Sequence, residues 1–196
     1  MKTTSRIGYF LQEIAIVVVG VLIAVSINNY KEKVDNEKYI EKTLSAIENE
    51  IKMSQTDLDT TLNRHLRLLE YLENNIEDNE QTIAEMVANR GGFQVPNIKN
   101  ISLRFFIANK ADLVDFALIS QLQDIEIFSN SLSRRNKMLA DFAYENVNEN
   151  SYEVKIRFYY LLANVIDGET TLSEAYSDFL ENNKDFLQSE KRLKAE

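Results

Sequence analysis

The 196-residue chain has no cysteine, one histidine, one proline and five glycines. Without cysteine there is no disulfide scaffold, no thiolate metal site and no cysteine nucleophile. With His65 as the only histidine, nucleophile–base pairs of the usual kinds cannot be assembled. Glycine occurs at 8, 20, 91, 92 and 168, and proline at 96 alone. So few breakers predict an almost wholly helical chain. Basic residues are also short, with 22 Lys and Arg against 31 Asp and Glu, a net charge of −9. Removing Lys2, Arg6 and Glu13 leaves 20 against 30 beyond residue 30, a net of −10. A surface that acidic excludes binding to nucleic-acid phosphates and lying flat on anionic lipid.

Apolar sequence is abundant at one place. From Ile14 to Ile27 only Ser26 is clearly polar, and nine of the fourteen residues are Val or Ile. A lipid span needs about 20 residues, and extension back through Ile7 supplies them. Tyr9 and Tyr30 then stand 21 residues apart, about 32 Å of helix, as interfacial aromatics do. In lipid a helix pairs every backbone group, which overrides the strand preference of Val and Ile. The rival is a cleaved signal peptide, with Lys2 and Arg6 as its basic start and Ala24-Val25-Ser26 as its cleavage site. Gln12 and Glu13 interrupt that pattern. At 100° per residue Arg6, Glu13, Gly20, Ala24 and Asn28 fall within about 80° of one another. Gly20 and Ala24 form a small-xxx-small pair that lets helices approach closely. This stripe is the expected contact face of the span, with a second copy or another membrane protein as partner besides the bilayer itself. The competing view of Glu13 is a carboxylate that reaches to the interface.

Glu13, Ile14, Val17, Val18, Gly20, Leu22, Ile23, Ala24, Ile27, Asn28, Asn29 and Glu32 together resemble the start of a family of small membrane-anchored proteins of Bacteroidota, a domain of unknown function. Gln12, Ser26 and Tyr30 depart from its usual Gly, Gln and Trp. The resemblance covers about 25 residues and implies a bacterial inner-membrane protein. It implies no activity and no catalytic residues.

The remaining chain is long enough for one compact domain. Apolar residues at 40, 44, 47, 51, 58, 62, 69, 72, 76, 83 and 87 form a heptad-like seam. One helix is expected from Ile7 to Glu73, then a short helix over 80–89 and a loop over 90–97. The seam needs cover, either from C-terminal helices folding back or from a second copy. After the loop, 101–107 is expected to be extended or helical and Ala111–Leu122 helical. Helices are expected over 124–149, 151–166 and 171–196. Ile127, Leu132, Leu139, Phe142 and Val147 form the core side of the first. Ser151 is a weak cap, because the fourth residue is Val154 rather than Glu. Leu172, Tyr176, Phe179, Leu180, Phe186 and Leu187 make the last stripe. The expected architecture is all-α: a single transmembrane helix continuing into a long amphipathic helix, packed with a C-terminal helical bundle. Its divisions are 1–30, 31–90, 91–97 and 98–196.

No catalytic constellation emerges. Leu62 stands where a carboxylate-bridged metal bundle would need Glu, three residues before His65; His65 falls between Leu62 and Leu69 and is expected as a seam or boundary residue. Asp57 and Asp59 lack the glycine and following ligands of a calcium loop and are expected as surface charges. Gly91-Gly92 lacks the lysine and further glycines of a phosphate loop and is expected as a turn. In the doublets Phe105-Phe106 and Tyr159-Tyr160 one ring of each should enter the core. No cofactor, metal or enzymatic activity is expected. The expected function is that of a membrane-anchored helical scaffold or interaction protein. The alternative is a membrane-anchored sensory or small-ligand-binding helical domain. Lys31, Lys33, Lys38 and Lys42 follow the span, so the basic residues do not decide orientation. A short N-terminal tail before a long domain resembles a signal anchor, which would place the C-terminal domain in the periplasm.

Overall fold

The computed structural model of the protein describes residues 3–184, apart from the side chains of Thr3 to Ile7 and of Asp112. The described residues hold five α-helices, one 3₁₀ turn and no strand. They are α1 (Thr3–Asn75), α2 (Ile83–Ala88), α3 (Ile101–Lys110), the turn Ala111–Leu113, α4 (Phe116–Glu145) and α5 (Tyr152–Asn182). Two compact units are present, one up to Lys42 and one from Thr43 onward.

In the first unit every residue from Gly8 to Lys33 is exposed. Ser26 does not interrupt the helix, because its Oγ donates to the Leu22 carbonyl at 2.8 Å.

In the second unit the remainder of α1 is bonded to α5 through Gln55, Asp59 and His65, and α5 packs on α4. α4 and α5 are joined by residues 146–151 and run antiparallel, as the pairs Arg135–Asp167 and Gln121–Asn183 require. α5 is antiparallel to α1 as well: Gln55 bonds Ser177 and Asp59 bonds Ser173. The seam of α1 is therefore covered from within the chain. Its row is Leu44, Ile47, Ile51, Ser54, Leu58, Thr61, His65, Leu68 and Leu72, an unbroken 3-4 alternation, with Glu48 also buried beside it. The apolar pattern read from the sequence leaves this row at 62 and 69, where Leu62 and Leu69 are only half-buried. Thr61 and His65 hold the true register, and their polarity concealed it.

Several element boundaries differ from expectation. Residues 101–107 are helical, because the Glu50 carboxylate of α1 accepts from Ser102 N at 3.0 Å and from Ser102 Oγ at 2.9 Å. That contact caps a helix whose own N-cap, Asn100, makes no side-chain cap bond. The two helices expected over 111–122 and 124–149 are one, α4, started by Asp115, whose side chain accepts from Leu118 N. The core face of α4 contains Leu132 and Leu139 as expected, but Ile127 is 58% and Val147 40% exposed. Ile125 and Ser129 occupy the face assigned to Ile127. The two helices over 151–166 and 171–196 also merge, as α5. Gly168 does not break it, and its bare Cα faces side chains of α4. A Cβ there would lie 3.1 Å from Arg135 Cδ and 3.4 Å from Leu132 Cδ1. Ser151 makes no side-chain cap bond, as expected of a weak cap. Leu172, Tyr176 and Phe179 are buried, whereas Phe186 and Leu187 lie outside the described residues. Phe106 enters the core and Phe105 is exposed. Tyr159 is half-buried and Tyr160 exposed.

α2 opens with a capping box between Thr82 and Glu85. These bonds hold the Glu85 carboxyl below its ordinary value. The first amides of α2 are taken up by the α4–α5 turn: Ile83 N donates to Glu149 O and Ala84 N to Val147 O. Lys155, fully buried, donates through Nζ to the Asp78 carbonyl. Burial lowers its pKa, and the Asp78 charge partly restores it.

Candidate functional site

Three features of the second unit bring chemistry-bearing side chains together. The first is buried. His65 Nδ1 of α1 lies 3.0 Å from Oε2 and 2.9 Å from Oε1 of Glu169 on α5. Both residues are 1% exposed or less. On the other side the ring of Phe93 stacks on the imidazole, 5.1 Å between centroids and 8° from parallel. Gly91 and Gly92, at φ 89° and 83°, make the reversal that precedes Phe93. Positive φ at two successive residues is accessible to glycine at little cost. His65 Nε2 has no partner among the described residues.

The second feature is a ladder on one stripe of α1. Glu50, Ser54 and Asp57, spaced i, i+4, i+7, each accept a backbone amide from the segment after the loop. Glu50 takes Ser102 N, Ser54 Oγ takes Lys99 N at 2.9 Å, and Asp57 Oδ2 takes Asn97 N at 2.6 Å. Tyr176 of α5, beside Ser54, is fully buried, and burial pushes its hydroxyl pKa up to about 12. The neighbouring Ser54 hydroxyl lowers it slightly and the Glu50 charge raises it again. Asp57 and Asp59 are thus split between two jobs, Asp57 on the 97–102 segment and Asp59 on Ser173 of α5.

The third feature is a cavity. The segment 95–101, held by that ladder, faces α4 from Ser129 to Asn136 across a space of about 730 Å³. Such a volume lies in the range of small-molecule sites. Its walls carry Lys99 and Arg104, the amides of Asn97, Asn100, Asn130 and Asn136, and no acidic residue. Arg104 is already engaged, Nε to Glu126 at 3.2 Å and Nη2 to Asn130 Oδ1 at 2.7 Å. Asn100 Nδ2 donates to Ser129 Oγ at 2.6 Å. Asn136 is 3% exposed, and its Oδ1 has no hydrogen-bond partner.

Residues 13–93 match a family model described as "Family of unknown function (DUF6090)". The match begins at Glu13, the first residue of the resemblance read from the sequence, and ends at Phe93, the ring on His65. It spans α1 from Glu13, α2 and the glycine turn, and it excludes α3, α4 and α5. No curated protein and no solved structure matches the chain.

The stripe expected to form the span's contact face lies on α1. Glu13, Gly20, Ala24 and Asn28 are all exposed, and nothing lies within 4 Å of a Cβ built at Gly20. Arg6 belongs to the same helix, and its side chain is outside the described residues. No group of three or more His, Asp or Glu poised to hold a metal occurs among the described residues. Sequence reasoning placed His65 at the seam and missed Glu169, its partner 104 positions away. It also missed Asn136 and Lys99, which carried no signal beyond their own polarity.

Proposed function

We propose that this protein is a single-pass, membrane-anchored helical interaction protein of the bacterial inner membrane, with its second unit in the periplasm and no chemistry of its own. One observation carries the anchoring. The most apolar 18-residue window of α1 has a mean hydropathy of 2.5, and none of it is buried within the chain. So large a contiguous apolar surface requires cover, and a bilayer supplies it along the whole circumference. The stripe of Arg6, Glu13, Gly20, Ala24 and Asn28 is where that cover would be another helix, with Gly20 and Ala24 admitting its backbone and Glu13 offering a hydrogen bond. An interhelical polar contact of this kind contributes on the order of 0.6 to 2 kcal/mol. The family match is to a family of unknown function and adds no activity.

The test begins with membrane fractionation of the full chain. It should remain in the pellet after carbonate extraction, with its N-terminus ahead of the apolar stretch. A soluble mature form starting near Ile27 would instead make residues 1–26 a signal peptide. Span association in a two-helix membrane reporter then tests the stripe. Gly20→Ile should weaken association more than Glu13→Gln, because bulk separates the backbones whereas Gln still hydrogen-bonds. Val18→Leu, about 160° around the helix from Gly20, should have little effect. Equal behaviour of Gly20→Ile and Val18→Leu removes the stripe as an interface.

A further inference from the structure

The cavity between the 95–101 segment and α4 has one group on its wall that the chain itself leaves without a partner. We propose that the cavity binds a small uncharged molecule with an aliphatic body and an N–H or O–H group that donates to Asn136. This goes beyond membrane anchoring and does not rest on it.

Asn136 carries the argument. It stands on α4 one turn from Leu132 and one turn from Leu139, both buried, and is itself 3% exposed. An apolar side chain would continue this core face. The position instead holds an amide whose Oδ1 has no partner among the described residues. Buried polar atoms in native structures nearly always have one, and departures from a local pattern are expected at functional sites. The polar groups nearby are spent on each other. Asn100 Nδ2 donates to Ser129 Oγ, and Ser129 Oγ donates to the Glu126 carbonyl at 3.0 Å. Arg104 Nη2 donates to Asn130 Oδ1. The space of about 730 Å³ that Asn136 borders is where a donor can enter.

The lining disfavours charge on the ligand. No acidic side chain borders the space, so an ammonium group has no counter-ion there. Arg104 is held by Glu126 at 3.2 Å, and Lys99 Nζ lies 3.9 Å from Met53 Sδ of α1. A carboxylate or phosphate would have to displace these contacts, and it offers Asn136 Oδ1 only a second acceptor. An uncharged donor meets neither obstacle. Ile98, Ile101 and Leu132 supply apolar wall, and no aromatic ring lines the space. That wall suits an aliphatic body better than a flat ring, which binds by stacking.

The experiment is isothermal titration calorimetry on the full chain in lipid nanodiscs, with empty nanodiscs subtracted. The probes are 4-methylpentanamide, its N,N-dimethyl derivative, 4-methylpentanoate and 4-methylpentylamine. The primary amide should bind saturably with a Kd of about 1 mM or tighter. The dimethyl derivative keeps the aliphatic body and loses both donors, so it should bind about tenfold more weakly. The anion and the cation should each be weaker than the primary amide. Asn136→Leu should weaken the primary amide about tenfold and leave the melting temperature of the free protein unchanged or higher, because it replaces an unpartnered buried amide by an apolar group. Ser133→Phe, at an exposed position on the cavity wall, should abolish binding by filling the space. The proposal is overturned by absent saturation with the primary amide, by equal or tighter binding of any of the other three probes, or by unchanged affinity in both variants. A lower melting temperature for Asn136→Leu also overturns it, by making the amide a support of the core through ordered water. None of these outcomes bears on membrane anchoring.

Discussion

His65 is a polar side chain at a core position of α1, and Glu169 is what makes that position tolerable. The imidazole and carboxyl sit within 3.0 Å of each other, both almost wholly shielded from water. Removing one partner leaves the other buried without a bond, which costs about 1 to 3 kcal/mol. Replacing both by apolar groups of similar size is far less damaging. His65→Leu and Glu169→Leu should therefore each lower stability clearly, and the double variant should be more stable than either single one. Thermal unfolding of the full chain in detergent, followed by circular dichroism, reads this directly. Additive losses in the double variant would show that the two residues are not coupled. A place at or beside the seam was legible for His65 from its position between Leu62 and Leu69, though its register was not. Its partner was not legible either. Glu169 follows Gly168, in a stretch whose polarity and glycine suggest a surface break between helices. Only the fold brings that stretch against α1.

Helix boundaries show a similar division. α1 ends two residues beyond the expected Glu73 because "ENNIEDNEQ" combines poor helix formers with no continuing apolar period. α2 starts at Ile83, capped by Thr82 through a local capping box that the sequence contains in full. α3 has no such local start. Its cap is Glu50, 52 residues earlier on another helix. Glu50→Ala should therefore fray α3 selectively. Amide exchange of residues 102–106 should accelerate about tenfold, the order expected for a lost cap, while exchange in the middle of α5 stays unchanged. Uniform acceleration through the bundle would mean that Glu50 acts on global stability and not as a cap. Gly168 makes the converse point. Local rules mark it as a helix breaker, yet α5 continues through it, with the Arg135 and Leu132 side chains of α4 filling the space beside its bare Cα.

For the whole molecule, the boundary at Lys42 and Thr43 has a direct consequence. The seam of α1 from Leu44 to Leu72 is covered by this chain's own helices, so the second unit needs no second copy. A fragment beginning at Thr43 should be soluble, helical and monomeric at high concentration, and should unfold in one cooperative transition. Analytical ultracentrifugation with a denaturant titration decides the matter; concentration-dependent association would return the seam to an intermolecular role. The all-helical class, the apolar stretch, the long first helix and the position of the loop were determined by the sequence alone. Each follows from local quantities: few breakers, a run of hydrocarbon side chains, a 3-4 period and a Gly-Gly turn. The tertiary structure decided the true register of the seam through Thr61 and His65, the pairing of His65 with Glu169, the capping of α3 by Glu50 and the cavity between Lys99 and Asn136. Every one of these joins residues distant in the chain. Their hydrogen bonds and burial exist only once helices are packed, so no local pattern encodes them.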